Sequence, residues 1–283
     1  MMIRSISKIV LCLVAFQLVA SIGCYSQTVS NISDEGIAYT VAGDGDLLVF
    51  IHGSNLDHRM WESQVKYFSQ DFKVLTYDQR GLGSSRIPSE TYSNASDLAN
   101  LLEYIGESDA TLIGLSAGAQ VALEVALMRP EIVAKLILVS PSLNGFTPKQ
   151  MPSYVSSLVA ALRGGDYERA NEVLLDSPIM SVTARYEELV RDMVVSSNQW
   201  KLPYELIQQP PEPVTSNLGK IDVPGLILLG GQDIPAINEV GGFLHDEVPN
   251  ADMVVIPEGK HLLNLSNPDA FNNEVKEFVG LDQ

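Results

Sequence analysis

The sequence predicts an α/β architecture, a mostly parallel sheet with helices on both faces. Three observations carry this expectation. Apolar strand-like runs alternate with helical patterns over residues 36–142 and again over residues 225–278. Several of these runs are apolar almost throughout, as in Leu47-Leu48-Val49-Phe50-Ile51 and Leu136-Ile137-Leu138-Val139. Strands need that composition when helices cover both of their faces. Finally, Gly114-Leu115-Ser116-Ala117-Gly118 stands between an apolar run and a helical stretch, where a strand must turn directly into a helix.

Taken in order, strands are expected over 36–41, 47–51, 72–77, 111–115 and 136–140, with helices over 60–69, 96–105 and 117–128. The last of these helices stops before Pro130, which cannot continue it. The alternation breaks at Pro141. Residues 143–217 hold no convincing strand; they predict helices over 153–163, 166–175 and 182–195, then a proline-rich stretch over 209–213. The alternation resumes with strand 225–229, helix 237–247, strand 253–256 and helix 268–278. The mature chain is thereby divided into a first core segment (27–142), a helical cap (143–217) and a second core segment (218–283). Open α/β sheets bind ligands at the carboxyl ends of their strands, where this insert emerges, so the cap is expected to roof a pocket.

Residues 1–26 have the pattern of a secretory signal: Arg4 and Lys8, a hydrophobic run over 9–22 interrupted only by Gln17 and Ser21, then small residues ending at Ser26. The run falls short of the roughly 20 apolar residues that a membrane span needs. Cleavage after Ser26 is the first expectation, and lipidation at Cys24 the rival; both place the protein outside the cytoplasm, periplasmic or secreted. Cys12 and Cys24 are the only cysteines, so the folded part has no disulfide, no thiolate metal site and no cysteine nucleophile. A domain of about 255 residues builds a core large enough to do without a disulfide. The net charge is −17, or −19 without Arg4 and Lys8, from 35 acidic and 16 basic residues. Such a surface repels phosphate backbones, which excludes nucleic acid as a partner.

The residues at the strand ends carry the chemistry. Ser116 in Gly-x-Ser-x-Gly is a nucleophile elbow, a turn so tight that the residues two before and two after the serine must be small. A serine hydroxyl needs a base, and the base an orienting acid, in the chain order serine, acid, histidine. Of His52, His58, His245 and His261, only the last two follow Ser116, and His245 falls inside the helix expected over 237–247. His261, in the loop after the last strand, is the base. Asp233, directly after the strand over 225–229, is the acid; Asp222 lies at the wrong end of that strand, and Glu258 is too near His261 in sequence. The oxyanion donors are the backbone N–H of Ala117 and that of Ser54 in His52-Gly53-Ser54-Asn55, or of Asn55 if the turn shifts by one. His52 is expected to bond loop backbone, while His58 and Trp61 are expected in loop and core. Asp78-Gln79-Arg80-Gly81-Leu82-Gly83-Ser84-Ser85 lacks the Gly-Lys-Ser/Thr of a phosphate loop, and Asp78 and Arg80 are expected to brace that turn by a local charged hydrogen bond. No metal-ligand spacing appears, and no cofactor is expected.

His52-Gly53, Asp78-Gln79-Arg80-Gly81-x-Gly83-x-Ser85, Gly114-x-Ser116-x-Gly118, Gly230-x-x-Asp233 and Gly259-x-His261 together resemble the α/β-hydrolase superfamily over essentially the whole mature sequence. His58-Arg59-Met60-Trp61 and Tyr77-Asp78-Gln79-Arg80-Gly81 are similar to its small esterase and enol-lactonase group. The resemblance implies eight strands, mostly parallel, with a helical cap after the sixth. It also implies a small-molecule ester or lactone as substrate. Serine at the elbow separates the chain from haloalkane dehalogenases and epoxide hydrolases, which place an aspartate there to form an alkyl ester. The superfamily also contains aminopeptidases and C–C bond hydrolases. An aminopeptidase would use cap acids such as Glu168, Glu172, Glu187 and Glu188 to hold a substrate ammonium. Some members bind ligands with little turnover; a pure binder has no need of Ser116, Asp233 and His261 together.

Overall fold

A computed structural model describes residues 29–280; the signal expected over 1–26, Cys24 included, lies outside the described residues. Eight strands form one sheet: β1 (Val29–Ile32), β2 (Ala38–Ala42), β3 (Leu47–Ile51), β4 (Lys73–Tyr77), β5 (Ala110–Leu115), β6 (Val133–Val139), β7 (Gly225–Gly230) and β8 (Ala251–Ile256). Their order across the sheet is β1-β2-β4-β3-β5-β6-β7-β8. The β1–β2 and β2–β4 pairs are antiparallel and all the others parallel. The eight-stranded, mostly parallel sheet expected from the sequence is therefore present. Read from residues alone, the chain offered seven strands; the eighth is β1, a four-residue edge strand with too few positions for a periodicity to register.

Alternating side chains feed two separate cores. Leu47, Val49 and Ile51 of β3 point to one face and Leu48 and Phe50 to the other; Leu136 and Leu138 of β6 likewise oppose Ile137 and Val139. On the first face pack α2 (Asn94–Tyr104), α3 (Ala117–Met128) and α7 (Pro235–Glu247). On the second lie α1 (Glu62–Phe68), α8 (Leu263–Ser266) and α9 (Pro268–Val279). Trp61, fully buried, stacks 5.0 Å from Phe50 and 6.0 Å from Phe271, so it belongs to this second core as expected.

Between β6 and β7 the chain leaves the sheet and forms α4 (Tyr154–Arg163), α5 (Tyr167–Leu175) and α6 (Glu187–Ser196). The third is shorter than the 182–195 span expected, because a 3-10 turn, Ala184–Tyr186, precedes it. Asp166 caps α5 by accepting the Arg169 N–H at 3.0 Å. The returning chain is stitched to the loop before α2: Tyr92 N–H donates to Leu206 O and Gln208 N–H to Tyr92 O. No helix among the described residues is long and apolar enough to cross a membrane.

Register fixes where ligands can sit. Ile51 pairs with Tyr77 and Gly114, Leu115 with Val139, and Val139 with Leu228, so the carboxyl ends of the central strands share one edge. β3 has β4 on one side and β5 on the other, so the winding direction reverses between β3 and β5. In an open α/β sheet, the crevice outside such a reversal is the ligand site.

The turn after β4 braces this edge, though not as expected. Asp78 Oδ1 accepts from His58 Nδ1 (2.7 Å) and His58 N–H (2.8 Å), and its Oδ2 accepts the Ser84 N–H at 2.8 Å. Arg80 turns away to α2 and grips Asp97 with two bonds of 2.7 and 2.6 Å. The two charges of this turn thus hold two different neighbours, because opposite-charge partners on packed elements offer a buried bidentate fit that the turn cannot. Gly83 (φ 49°) admits the carboxylate, since a Cβ there would collide with Asp78. The hydrogen bond to Asp78 raises the pKa of His58 above its ordinary 6.5. Burial alone would raise Asp78, but the His58 bond and the nearby positive charge hold it below its ordinary 3.8.

Asp78→Asn should therefore lower unfolding free energy by about 2–4 kcal/mol, read from urea midpoints, because His58 and Ser84 lose a charged acceptor in a buried setting. The pH dependence has a definite sign. The raised His58 pKa contributes stability that is complete below 6.5 and fades as pH rises through the folded value, while the lowered Asp78 pKa contributes stability present above 3.8 and lost as pH falls. The stability gap between the wild type and His58→Gln should accordingly be wider near pH 5.5 than near pH 9; an equal gap would contradict the ion pair.

Candidate active site

Ser116 sits between β5 and α3 with φ 55° and ψ −115°, a conformation that L-residues rarely adopt. Its backbone is tied on both sides: the N–H donates to Val139 O at 2.9 Å, and its carbonyl accepts from Ala119 (3.0 Å) and Ser142 (3.2 Å). The flanking glycines are there for space. A Cβ at Gly114 would be driven into the backbone of Gly118, and one at Gly118 into the carbonyl of Ile51, with His52 O at 2.8 Å. Strand β5, helix α3 and the end of β3 thus touch backbone to backbone beneath Ser116. Gly53 continues the contact, because a Cβ there would lie 3.4 Å from Ser116 Cβ.

A second close approach joins the ends of β7 and β8. A Cβ at Gly230 would lie 2.5 Å from Gly259 O, and the Gln232 N–H donates to that same carbonyl at 2.8 Å. The loops carrying Asp233 and His261 are thereby drawn together, and His261 Nδ1 lies 2.8 Å from Asp233 Oδ2. Both side chains are almost fully buried, at 3% and 0% exposure. Asp233 Oδ1 accepts the Ile234 N–H at 2.7 Å. An ionised carboxylate only accepts hydrogen bonds, so the pairing puts the imidazole proton on Nδ1 and leaves Nε2 free to take another.

Ser116 and His261 line one cavity of about 390 Å³, together with Gly53, Ser54, Asn55 and Ser142. Its roof comes from the insert: Tyr154, Val155 and Leu158 of α4, Leu174 of α5, then Trp200 and Tyr204. Neither the Ser54 nor the Ala117 N–H finds an acceptor among the described residues. Asn55 (φ 60°) differs, since its N–H points to Gln199 Oε1 at 3.4 Å. Of the two N–H groups the sequence left open, that of Asn55 meets a side chain of the insert, and that of Ser54 has no partner among the described residues.

The remaining histidines lie elsewhere. His52, fully buried, accepts the Gln79 N–H on Nε2 (2.9 Å) and donates from Nδ1 to Gly53 O (2.8 Å). Burial pushes its pKa down, so it is a neutral clamp on the loop that carries Ser54. His245 in α7 donates to Ala251 O at 2.9 Å. Asp222 accepts from Asn250, and Glu258 from Gln232. Asp57, His58 and Asp78 bring ligand-type atoms within 4.8 Å of one another, but Asp57 is engaged with Arg59 and Asp78 with His58. Glu168, Glu172, Glu187 and Glu188 are exposed, and none lines the cavity.

The lining residues Tyr154, Ser142, Gln199, Trp200 and Tyr204 were not foreseen. Gln199 and Trp200 lie in a 3-10 turn, Gln199–Lys201, whose sequence carries no motif. Only the proline-rich return of the chain, which the sequence did display, hints that this segment folds back over the sheet.

Comparison with known proteins finds relatives over most of the chain. The chain is 28% identical over 248 residues to a pimeloyl-[acyl-carrier protein] methyl ester esterase of Pectobacterium atrosepticum, covering 84% of this chain and 95% of that protein. It is 25% identical over 269 residues to 3-oxoadipate enol-lactonase 2 of Acinetobacter baylyi, covering 86% and 92%. The solved enol-lactonase of Burkholderia xenovorans LB400 shares the fold, with a TM-score of 0.73 at 22% identity over 89% of this chain and 99% of that one. Residues 48–274 match the model of the Alpha/beta hydrolase family, and the chain belongs to that family.

Proposed function

We propose that this protein hydrolyses a small carboxylic ester or lactone through an acyl-enzyme on Ser116. The observation that carries the reading is the meeting of Ser116, on its strained turn, with the buried His261–Asp233 pair at one cavity. Relatives named as a methyl ester esterase and an enol-lactonase support the ester and lactone chemistry.

In this reading Ser116 Oγ attacks the substrate carbonyl carbon while His261 Nε2 takes its proton. Asp233 keeps the imidazole in the Nδ1–H tautomer and stabilises the imidazolium. The oxyanion lies between the N–H groups of Ser54 and Ala117, and Ala117 adds the positive end of the twelve-residue helix α3. Collapse of the intermediate expels the alcohol oxygen, protonated by His261, and leaves an ester on Ser116. Water, deprotonated by the same histidine, then releases the acid and restores the serine. A lactone would open by the same steps to a hydroxy acid. The aminopeptidase reading loses its support, since the cap glutamates that it needs face solvent. Export is part of the proposal, by cleavage after Ser26 or by lipidation at Cys24.

Hydrolysis of a chain-length series of p-nitrophenyl esters by the protein lacking residues 1–26 tests this reading. Ser116→Ala should lose at least about 10³-fold in kcat with little change in melting temperature. Ser116→Gly should be equally inactive yet melt higher than Ser116→Ala, because glycine adopts φ 55° without the roughly 1 kcal/mol or more stored there. Wild-type rates in either variant would remove Ser116 from the reaction. Asp233→Asn should lower kcat by about 10³-fold or more, because an amide no longer enforces the Nδ1–H tautomer. Intact-mass analysis of the exported protein separates its two expected forms: an N-terminus at Gln27, or an acylated Cys24.

A further inference from the structure

The cavity over Ser116 has an unusual electrostatic character for so acidic a chain. Among the described residues that line it there is no aspartate, glutamate, lysine or arginine; His261 and the phenols of Tyr154 and Tyr204 are its only titratable groups. Much of the rest of its wall is aliphatic and aromatic, including Leu56, Leu115, Val155, Leu158, Leu174 and Trp200. Some of its polar side chains are hydrogen-bonded within the protein, while Asn55 Oδ1 is buried without a partner among the described residues. Trp200 Nε1 donates to Asn171 (2.7 Å), Gln199 Nε2 to the Tyr204 hydroxyl (3.1 Å), and that hydroxyl to Gln199 O (2.9 Å).

The charged groups nearby lie outside the cavity lining and have partners of their own. Asp233 is paired with His261. Lys260 Nζ donates to Ser181 Oγ at 2.9 Å. Arg59 is held between Asp57 and Asp192 of α6, at 2.7 and 2.5 Å. A carboxylate entering this space would shed its water and meet no lysine or arginine of the lining, under the field of a chain of net charge −17. An ammonium group would meet no free acid either. The volume of about 390 Å³ is of the size that holds a small-molecule acyl group.

We infer that the substrate is a small uncharged ester or lactone, whose acyl part carries neither a free carboxylate nor an ammonium group. The inference rests on the ester-hydrolase reading above and narrows it to one substrate class.

Wild-type kinetics on four methyl esters test it: methyl hexanoate, dimethyl glutarate, monomethyl glutarate and leucine methyl ester at a pH where the amine is charged. The two neutral esters should have kcat/KM values within about tenfold of each other, and the two charged ones should fall at least about 100-fold lower. A half-ester or an amino ester turned over as well as the neutral pair would overturn the inference. Should no ester turn over, the hydrolase reading fails by itself. Calorimetric binding of dimethyl against monomethyl glutarate to Ser116→Ala still reads the discrimination of the pocket; equal affinities would overturn it. Leu158→Lys, which puts a cation in the roof, should shift the preference at least tenfold toward monomethyl glutarate. An unchanged ratio in a folded variant would mean that the acyl group does not lie under Leu158, and would equally defeat the inference.

Discussion

The contact on which the rest of the site depends is the backbone crossing beneath Ser116. Strand β5 enters it, helix α3 leaves it, and the end of β3 lies against both, with Gly114 and Gly118 giving up their side chains so that carbonyls and Cα atoms can meet. The crossing holds Ser116 at φ 55°, and hydrogen bonds to Val139, Ala119 and Ser142 keep it there. A serine on an ordinary helix would point along the helix surface; here the turn lifts its Oγ off the sheet edge. The same crossing leaves the Ala117 N–H at the head of a helix without an acceptor among the described residues and brings Gly53 alongside. Ser116 and the groups we propose as oxyanion donors are thus set by one steric arrangement.

A second crossing of the same kind positions the Asp233–His261 pair. Gly230 and Gly259 let the ends of β7 and β8 approach until Gln232 bonds Gly259, and Asp233 and His261 follow their loops into contact. Parallel neighbours in a sheet are the natural hosts for such a pair, because their carboxyl ends already lie side by side. Around these crossings the Asp78 turn acts as a brace. It ties β4 to the His58 segment, and with His52 it leaves the loop before Leu56 little freedom. Among the described residues the cavity wall carries no Asp, Glu, Lys or Arg, and the buried carboxylates behind it, Asp233 and Asp78, are each paired with a histidine, since a buried unpaired charge would cost more than the fold can spare.

Much of this was legible in the chain. Two-faced apolar strands, the small residues around Ser116 and the position of Asp233 and His261 after strands are local patterns, and local sterics dictate them. Helices α3, α4, α5 and α9 appear within a residue or two of where periodicity placed them. Other features could not be read. β1 is too short for a pattern. The partner of Arg80 is Asp97, on a helix that no sequence rule brings to the turn. Gln199, which takes the Asn55 N–H, is 144 residues away from it along the chain.

The sequence by itself determined the class of fold, the elbow and the order of its chemical residues, because glycine spacing, apolar periodicity and strand-end positions act over a few residues at a time. Only the tertiary structure decided which N–H near Ser116 is left without a partner, which cap residues roof the cavity, and that no charged side chain of the lining faces the substrate. Those properties depend on how segments distant in sequence pack. Packing is settled by the summed burial and hydrogen bonding of the whole chain, which no local window contains.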